Sequence, residues 1–199
     1  KKLLLILLCL PMIGFGQIIG GNYTQLNEYP WMVEILDDTG GHICGGSLID
    51  DNWVVTAGHC GMFLDTIIGS DTVLIPKPIK VRINGYISSS TLPQAEVIFI
   101  DSIFVFPGYS FLNDTTYFPD IALLKLETSS TFSPVDRILL ASDTLLTETN
   151  DSCTALGWGL TIFDTINLII RSSDTLKEVD IVFIDKNYCA SQYYAINNL

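Results

Sequence analysis

The strongest constraint on the fold is a succession of short runs rich in β-branched and aromatic residues, separated by turn residues. The clearest runs are residues 31–36, 47–49, 53–56, 80–83, 97–105, 120–127 and 179–184. Turn signals between them include Asn84-Gly85 and Phe106-Pro107-Gly108. Several short strands at this spacing are typical of a β-sandwich or β-barrel. Since no segment has convincing helical periodicity, the sequence predicts an all-β chain.

The first 16 residues have the composition of a secretory signal peptide. Two lysines precede an apolar run at residues 3–10, and glycines stand at positions −3 and −1 before Gln17. The apolar run is too short to cross a bilayer, because a spanning helix needs about 20 apolar residues. We therefore predict a signal peptide at residues 1–16 and a protein that is secreted, or periplasmic if its source is bacterial. No membrane attachment is expected after signal cleavage.

Acidic residues outnumber basic residues by 22 to 10, which gives a formal net charge of −12. Removal of Lys1 and Lys2 with the signal peptide leaves eight basic residues against 22 acidic ones, a net charge of −14. Nucleic acids and anionic membranes attract surfaces rich in Lys and Arg, so this balance argues against both as partners. A solvated acidic surface is the simpler explanation of the charge, and cationic substrates are the alternative.

Five short motifs follow one another along the chain after the leader. They are IIGG at residues 18–21, CGGSLI at 44–49, TAGHC at 56–60, DIALLKL at 120–126 and GWG at 157–159. In content, order and approximate spacing, they resemble the signatures of the chymotrypsin/trypsin family of serine endopeptidases. One such motif would be a weak signal, but five in register make the resemblance strong.

The resemblance implies a double β-barrel with the active site in the cleft between two six-stranded barrels. A trypsin-like domain would occupy residues 17–199. The first barrel, at about residues 18–135, would be complete, and the second, at about 136–199, would be incomplete. We expect this domain to be monomeric.

A histidine and an aspartate matter in such a site for chemical reasons. A serine hydroxyl is a poor nucleophile until a positioned base accepts its proton. Imidazole titrates near neutral pH, and a carboxylate on its other nitrogen fixes the tautomer. By motif match, His59 is the predicted base and Asp120 the predicted carboxylate. The second histidine, His42, is expected to be structural, and Asp114 is the nearby competitor of Asp120.

Four cysteines remain after the predicted leader, namely Cys44, Cys60, Cys153 and Cys189. An even number in an exported protein favours disulfides, and the count alone leaves three pairings open. The resemblance implies a bridge between Cys44 and Cys60, which would hold the loop of His59 still. It also implies that Cys153 and Cys189 each pair with a cysteine beyond residue 199.

Three departures from the family pattern bear on function. Gly58 stands where the family usually has alanine, a change that we expect to be tolerated because no side-chain chemistry is lost. No Gly-Asp-Ser-Gly-Gly segment, which supplies the nucleophile and oxyanion hole in the family, occurs in residues 1–199. The resemblance assigns Ile18 as the activated N-terminus, yet no basic cleavage site precedes it, so we expect a further processing step or a signal peptidase cut directly before it.

The sequence therefore predicts a secreted endopeptidase that hydrolyses peptide bonds through a Ser-His-Asp triad, of which this chain holds His59 and Asp120. The resemblance implies no cofactor and no metal, with protein or peptide substrates and protein inhibitors as partners. We expect the 199 residues to be an inactive fragment of a longer enzyme. The alternative is a non-catalytic homologue that serves as a protein-binding or regulatory module.

Overall fold

The computed structural model describes residues 21–61, 63–68, 71–75, 79–88, 92–109, 119–132, 136–140, 151–164, 169–182, 184, 187–188 and 191–192. The strands are β1 (Asn22–Tyr23), β2 (Met32–Leu36), β3 (His42–Asp50), β4 (Trp53–Thr56), β5 (Phe63–Ile68), β6 (Asp71–Ile75), β7 (Lys80–Ile83), β8 (Glu96–Val105), β9 (Ala122–Leu126), β10 (Ser152–Gly157), β11 (Leu160–Asp164), β12 (Ile169–Ser172) and β13 (Lys177–Val182). A 3-10 helix spans Gly58–Gly61, and residues 187–188 and 191–192 are helical. In this part of the chain, no helix is long and apolar enough to cross a membrane.

The chain divides into two compact units. The barrel unit comprises Thr24–Leu140 and Asp174–Leu176. The sheet unit comprises Lys1–Tyr23, Ala141–Ser173 and Lys177–Leu199. The predicted signal peptide, Ile18 and Cys189 lie outside the described residues.

The barrel unit is built on a closed six-stranded barrel. Its strands follow the order β2-β3-β4-β9-β8-β7, every neighbouring pair is antiparallel, and β2 closes the ring by pairing with β7. β5 and β6 pair with each other as a separate two-stranded antiparallel sheet. The structure confirms the all-β prediction and the complete first barrel. Full closure also removes the unpaired strand edges that an open sheet would expose.

Buried and exposed side chains alternate along the strands, and the buried ones form the interior of the barrel. In β9, Ala122, Leu124 and Leu126 are buried, whereas Leu123 between them is exposed, as successive side chains of a strand point to opposite faces. The buried residues join one apolar core with members from the other strands, including Val33, Leu48, Val54, Val81 and Ile98. Burial of each such side chain contributes about 1.5–3 kcal/mol, so this core fixes which face of each strand looks inward.

A buried ionic network lies on β2, where alternation alone would place a side chain toward solvent. Glu34 is fully buried although its neighbours Val33 and Ile35 face the core. Its carboxylate forms an ion pair with buried Arg82, accepts a hydrogen bond from Ser88, and lies 3.0 Å from His42 Nδ1. The second histidine of the chain therefore belongs to this network.

The charge of Glu34 is maintained by these partners. Burial acts to raise the pKa of Glu34, but the hydrogen bonds from His42 and Ser88 and the positive charge of Arg82 outweigh it. The pKa of Glu34 is consequently lowered from its ordinary value of 4.5. A carboxylate with these partners stabilises the fold while it is ionised, whereas a lone buried charge would destabilise it.

The sheet unit contains two antiparallel sheets among its described residues. One has the strand order β1-β13-β10, and the other pairs β11 with β12. Trp158, the tryptophan of the GWG motif, is buried at the end of β10. This arrangement is consistent with the predicted partial second barrel.

The Glu34 network predicts a defined acid sensitivity. Because the folded-state pKa is below the unfolded one, the stabilisation is complete above pH 4.5 and is lost as the pH falls through the folded-state value. Glu34→Gln leaves Arg82 charged and unpaired in the interior, so we expect a loss of about 3–5 kcal/mol at neutral pH. Urea unfolding should be measured from pH 3 to 7. At neutral pH the free energy of unfolding of the variant should be lower by this amount, and it should lack the decrease with falling pH that protonation of Glu34 causes in the wild type.

The matched control is Glu127→Gln, which changes an exposed carboxylate on the same unit. It should leave both the unfolding free energy and its pH dependence unchanged. A Glu34→Gln protein with the acid step of the wild type would contradict the assignment.

Candidate active site

The pairing of β4 with β9 brings the two predicted catalytic residues together. These strands are antiparallel, with Thr56 opposite Ala122. His59 lies three residues beyond Thr56, and Asp120 lies two residues before Ala122. The two residues therefore leave the barrel at the same end of the same strand pair, although 61 positions separate them in the sequence.

A short 3-10 turn carries His59 away from the end of β4. It begins at Gly58, and the Cys60 N–H donates to the Ala57 carbonyl at 3.1 Å. Thr56, the last residue of β4, donates a hydrogen bond from its hydroxyl to the Gly45 carbonyl at 2.8 Å. These bonds fix the exit of the chain from the barrel, so the histidine has a defined backbone position.

Asp120 receives two hydrogen bonds from His59. The imidazole Nδ1 lies 2.7 Å from Asp120 Oδ2, and the backbone N–H of His59 donates to Oδ1 at 2.8 Å. A carboxylate is only an acceptor when ionised, so the hydrogen-bond pattern assigns the proton of neutral His59 to Nδ1. This tautomer leaves Nε2 unprotonated, with a lone pair that can accept a proton from a nucleophile.

The electrostatics favour an ionised Asp120. Partial burial acts to raise the pKa of Asp120, but the hydrogen bonds and charge of His59 and a hydrogen bond from Tyr109 outweigh it, and the pKa is lowered from 3.8. Burial raises the pKa of Tyr109, and the nearby Asp120 carboxylate adds to that rise. At neutral pH Asp120 is therefore an ionised carboxylate that accepts both hydrogen bonds from His59.

The Cys44–Cys60 disulfide lies directly beside the histidine. The bond joins residues 16 positions apart, whose Cα atoms are 6.1 Å from each other. It ties β3 to the 3-10 turn, and Cys60 is almost fully buried against the barrel core. The donor atoms of these cysteines and His59 lie within 4.8 Å of one another, but sulfurs bonded to each other are not thiolates and do not form a metal site.

Of the other residues that the sequence singled out, Cys153 lies in the described part of the chain. Cys153 is exposed on β10 with a free thiol. Ile18, Cys189 and Asp114 lie outside the described residues, so their assigned roles stay predictions.

Tyr109 is a residue of the site that the sequence reasoning missed. It follows the turn Phe106-Pro107-Gly108, which the sequence indicated only as a break between strands. Its contact with Asp120 is tertiary, and none of the five motifs includes it. A tyrosine directly after a turn and eleven residues before a predicted catalytic aspartate was the one available signal.

The amino-acid sequence of the chain matches a known family. A family model described as Trypsin matches residues 18–198. The serine proteinase stubble of Drosophila melanogaster is 33% identical over 187 residues, a match that covers 89% of this chain and 21% of that protein. The chain thus spans about a fifth of the length of this relative.

A solved structure agrees at the level of the fold. Neuropsin, a serine protease expressed in the limbic system of mouse brain, superposes with a TM-score of 0.70 at 22% identity. The match covers 88% of this chain and 69% of the neuropsin chain. At this identity the likeness supports the chymotrypsin-type double-barrel fold.

The disulfide beside His59 yields a stability prediction. A Cys44→Ala/Cys60→Ala protein frees the enclosed loop in the unfolded state, so we expect a loss of about 3 kcal/mol in the chain-entropy model. Chemical denaturation of the oxidised proteins measures this loss. Cys153→Ala is the matched control, because its thiol is exposed and unbonded, and it should leave the unfolding free energy unchanged. Equal stability of the double variant and the wild type would contradict the structural role of the bridge.

Proposed function

The chain belongs to the trypsin-like family of serine peptidases, and on that premise we propose that it supplies the general base and the orienting carboxylate of a secreted endopeptidase. His59 is the base and Asp120 the carboxylate. The observation that carries the proposal is the pair of hydrogen bonds, 2.7 and 2.8 Å, that one carboxylate accepts from the ring and the backbone of the same histidine.

The proposed reaction is acyl transfer through a serine. The serine oxygen attacks the carbonyl carbon of the scissile peptide while His59 Nε2 accepts the hydroxyl proton. Asp120 stabilises the resulting imidazolium, and His59 then returns the proton to the leaving amine as the C–N bond breaks. Water, activated by the same imidazole, hydrolyses the acyl-enzyme. This scheme was established on the family itself, so its use here is an analogy.

The serine of this scheme is not assigned to any residue of the chain. In the family, a Gly-Asp-Ser-Gly-Gly segment supplies both the nucleophile and the oxyanion-hole amides, and residues 1–199 do not include one. Loss of a single oxyanion donor costs a factor of about 10²–10³ in kcat. We therefore propose that these 199 residues alone are inactive, and that activity requires that segment in a longer parent protein.

Family membership also supports the proposed partners and location. Substrates would be peptides or proteins, and protein inhibitors of such enzymes would bind the same site. We propose an exported monomer that needs no cofactor. Its activation would require release of the Ile18 amine by one processing step or by a signal peptidase cut directly before Ile18.

Labelling with a fluorophosphonate tests the proposed function. This reagent phosphonylates a serine only where a base activates it. The protein isolated from its natural source should take up one label per molecule, whereas a recombinant chain of residues 1–199 should take up none. In the full-length protein, His59→Ala should abolish labelling, and Asp120→Asn should slow it by about 10⁴-fold, the effect known for this family.

Asp114→Asn is the control, since it removes the same charge from the competing aspartate, and it should label at the wild-type rate. Absence of label on the natural protein would support the second candidate, a non-catalytic homologue that binds proteins. Labelling of residues 1–199 would contradict the assignment of the serine to another segment.

A further inference from the structure

We propose that Cys44, Cys60 and His59 form a zinc site when the disulfide between the two cysteines is reduced, and that the bound metal blocks His59 as a base. The disulfide then has a second role besides holding the turn, because it withholds two metal ligands from the predicted base. The block of the base rests on the proposed function, whereas the binding of the metal does not.

Three potential metal ligands converge at the turn of His59. The ligand atoms of Cys44, Cys60 and His59 all lie within 4.8 Å of one another. His59 and Cys60 are consecutive on the 3-10 turn and Cys44 lies on β3, so two separate segments supply the ligands. Two thiolates and one imidazole are an established zinc ligand set, which leaves the fourth tetrahedral position to water.

The distances between these atoms suit a tetrahedral site after a small adjustment. Zn–S bonds of about 2.3 Å and Zn–N bonds of about 2.0–2.1 Å place neighbouring ligand atoms about 3.5–3.8 Å apart. The Cα atoms of Cys44 and Cys60 are 6.1 Å apart, so the two sulfurs, once unbonded, reach this separation by rotation about their Cα–Cβ bonds. The backbone of the turn can keep its position.

Asp120 supplies the outer contact that zinc-binding histidines usually have. Such a histidine donates its second ring N–H to a carboxylate or carbonyl, which orients the ring and makes it a better ligand. The Nδ1 of His59 lies 2.7 Å from Asp120 Oδ2, which leaves Nε2 as the nitrogen that binds the metal. A zinc ion on Nε2 occupies the lone pair that would accept the serine proton, so the metal-bound form has no base.

The site is open enough to be reached from solvent. The His59 side chain is 38% exposed and Cys44 is half-buried, whereas Cys60 is almost fully buried. A reductant therefore meets the Cys44 side of the bond first, and a metal ion can approach along the imidazole.

Formation of the site is a reduction followed by a release of protons. A dithiol reductant is oxidised to its own disulfide while the S–S bond of the protein takes up two electrons and two protons and becomes two thiols. Binding of Zn²⁺ then releases both thiol protons, because the thiolate is the ligand. Oxidation of the two thiols by a disulfide reverses the reaction and expels the metal.

The test is the binding of Co²⁺ to the reduced 199-residue chain, because tetrahedral thiolate-bound Co²⁺ has a strong visible absorption. Cys9, Cys153 and Cys189 are replaced by serine, so that Cys44 and Cys60 are the remaining thiols. The protein is reduced with a dithiol, separated from it under argon and titrated with Co²⁺. We expect one tetrahedral Co²⁺ per chain, displaced by Zn²⁺.

Substitutions assign the ligands. His59→Ala and Cys44→Ser should each abolish the tetrahedral spectrum, and the oxidised protein should not produce it. Asp120→Asn should keep the spectrum and weaken binding by about 10–100-fold, the usual effect of losing an outer contact. His42→Gln is the matched control, because its ring contacts Glu34 instead, and it should bind Co²⁺ like the parent.

Three results would overturn the site. They are a natively folded reduced chain that binds no tetrahedral Co²⁺, an unchanged spectrum in His59→Ala, and binding that persists equally in urea, since an unfolded chain would then supply the ligands. If the reduced chain unfolds, Zn²⁺ should restore its native circular dichroism, because metal binding and folding are coupled. Failure of Zn²⁺ to do so would equally contradict the proposal.

This outcome is separable from that of the proposed function. Cobalt binding needs no serine, so a protein that takes up no fluorophosphonate can still contain the metal site. In a natural protein that does take up label, the labelling rate should fall only when Zn²⁺ follows reduction, and a chelator should restore it. A rate that falls equally without Zn²⁺, or that is unchanged with the metal bound, would overturn the block of His59.

Discussion

The antiparallel pairing of β4 with β9 is the constraint on which the candidate site depends. Only the register that sets Thr56 opposite Ala122 lets His59 and Asp120 meet beyond the strand ends. A slip of one residue would turn every side chain of a strand to the other face, so the apolar core holds this register. The residues that bury Leu124 and Val54 therefore also determine the distance between an imidazole and a carboxylate.

Other contacts connect the barrel to His59 and Asp120. The Cys44–Cys60 bond holds the turn of His59 to β3, and Cys44 lies opposite Ile35 on β2, next to buried Glu34. The ionic network of Glu34 thus stabilises the strand that supports the bridge, at a distance from the chemistry. On the other side of the site, the Phe106 N–H donates to the carbonyl of Ile121, the residue that follows Asp120. Each of the two predicted catalytic residues thus lies next to a segment that is bound to the barrel.

The sequence was a good guide wherever a local pattern determined the structure. The runs at 53–56 and 80–83 are strands with the same bounds, because β-branched residues between turn signals favour the extended conformation of a strand. His59 and Asp120 were identified by motifs that include their neighbours. The expectation for the first barrel was confirmed for the same reason, since three of the five motifs, CGGSLI, TAGHC and DIALLKL, each mark a strand or turn of it.

What the sequence could not provide were contacts between distant segments. Nothing near Glu34 indicates burial, because the partners that allow it, Arg82 and Ser88, are far along the chain and belong to other segments. The loss of a methyl group at Gly58 was expected to be merely tolerated. Only the fold reveals that this position faces both Asp120 and Tyr109. Such roles arise from packing between segments, which periodicity and spacing do not encode.

The most direct test of the account is a proton NMR spectrum of the oxidised 199-residue protein labelled with ¹⁵N-histidine. A short charge-assisted hydrogen bond moves its proton to low field. We predict a low-field Nδ1 proton on His59 that disappears in Asp120→Asn, while a separate resonance of His42 persists because its partner is Glu34. A folded protein in which no His59 proton depends on Asp120 would contradict the claim that this chain assembles the base and its carboxylate.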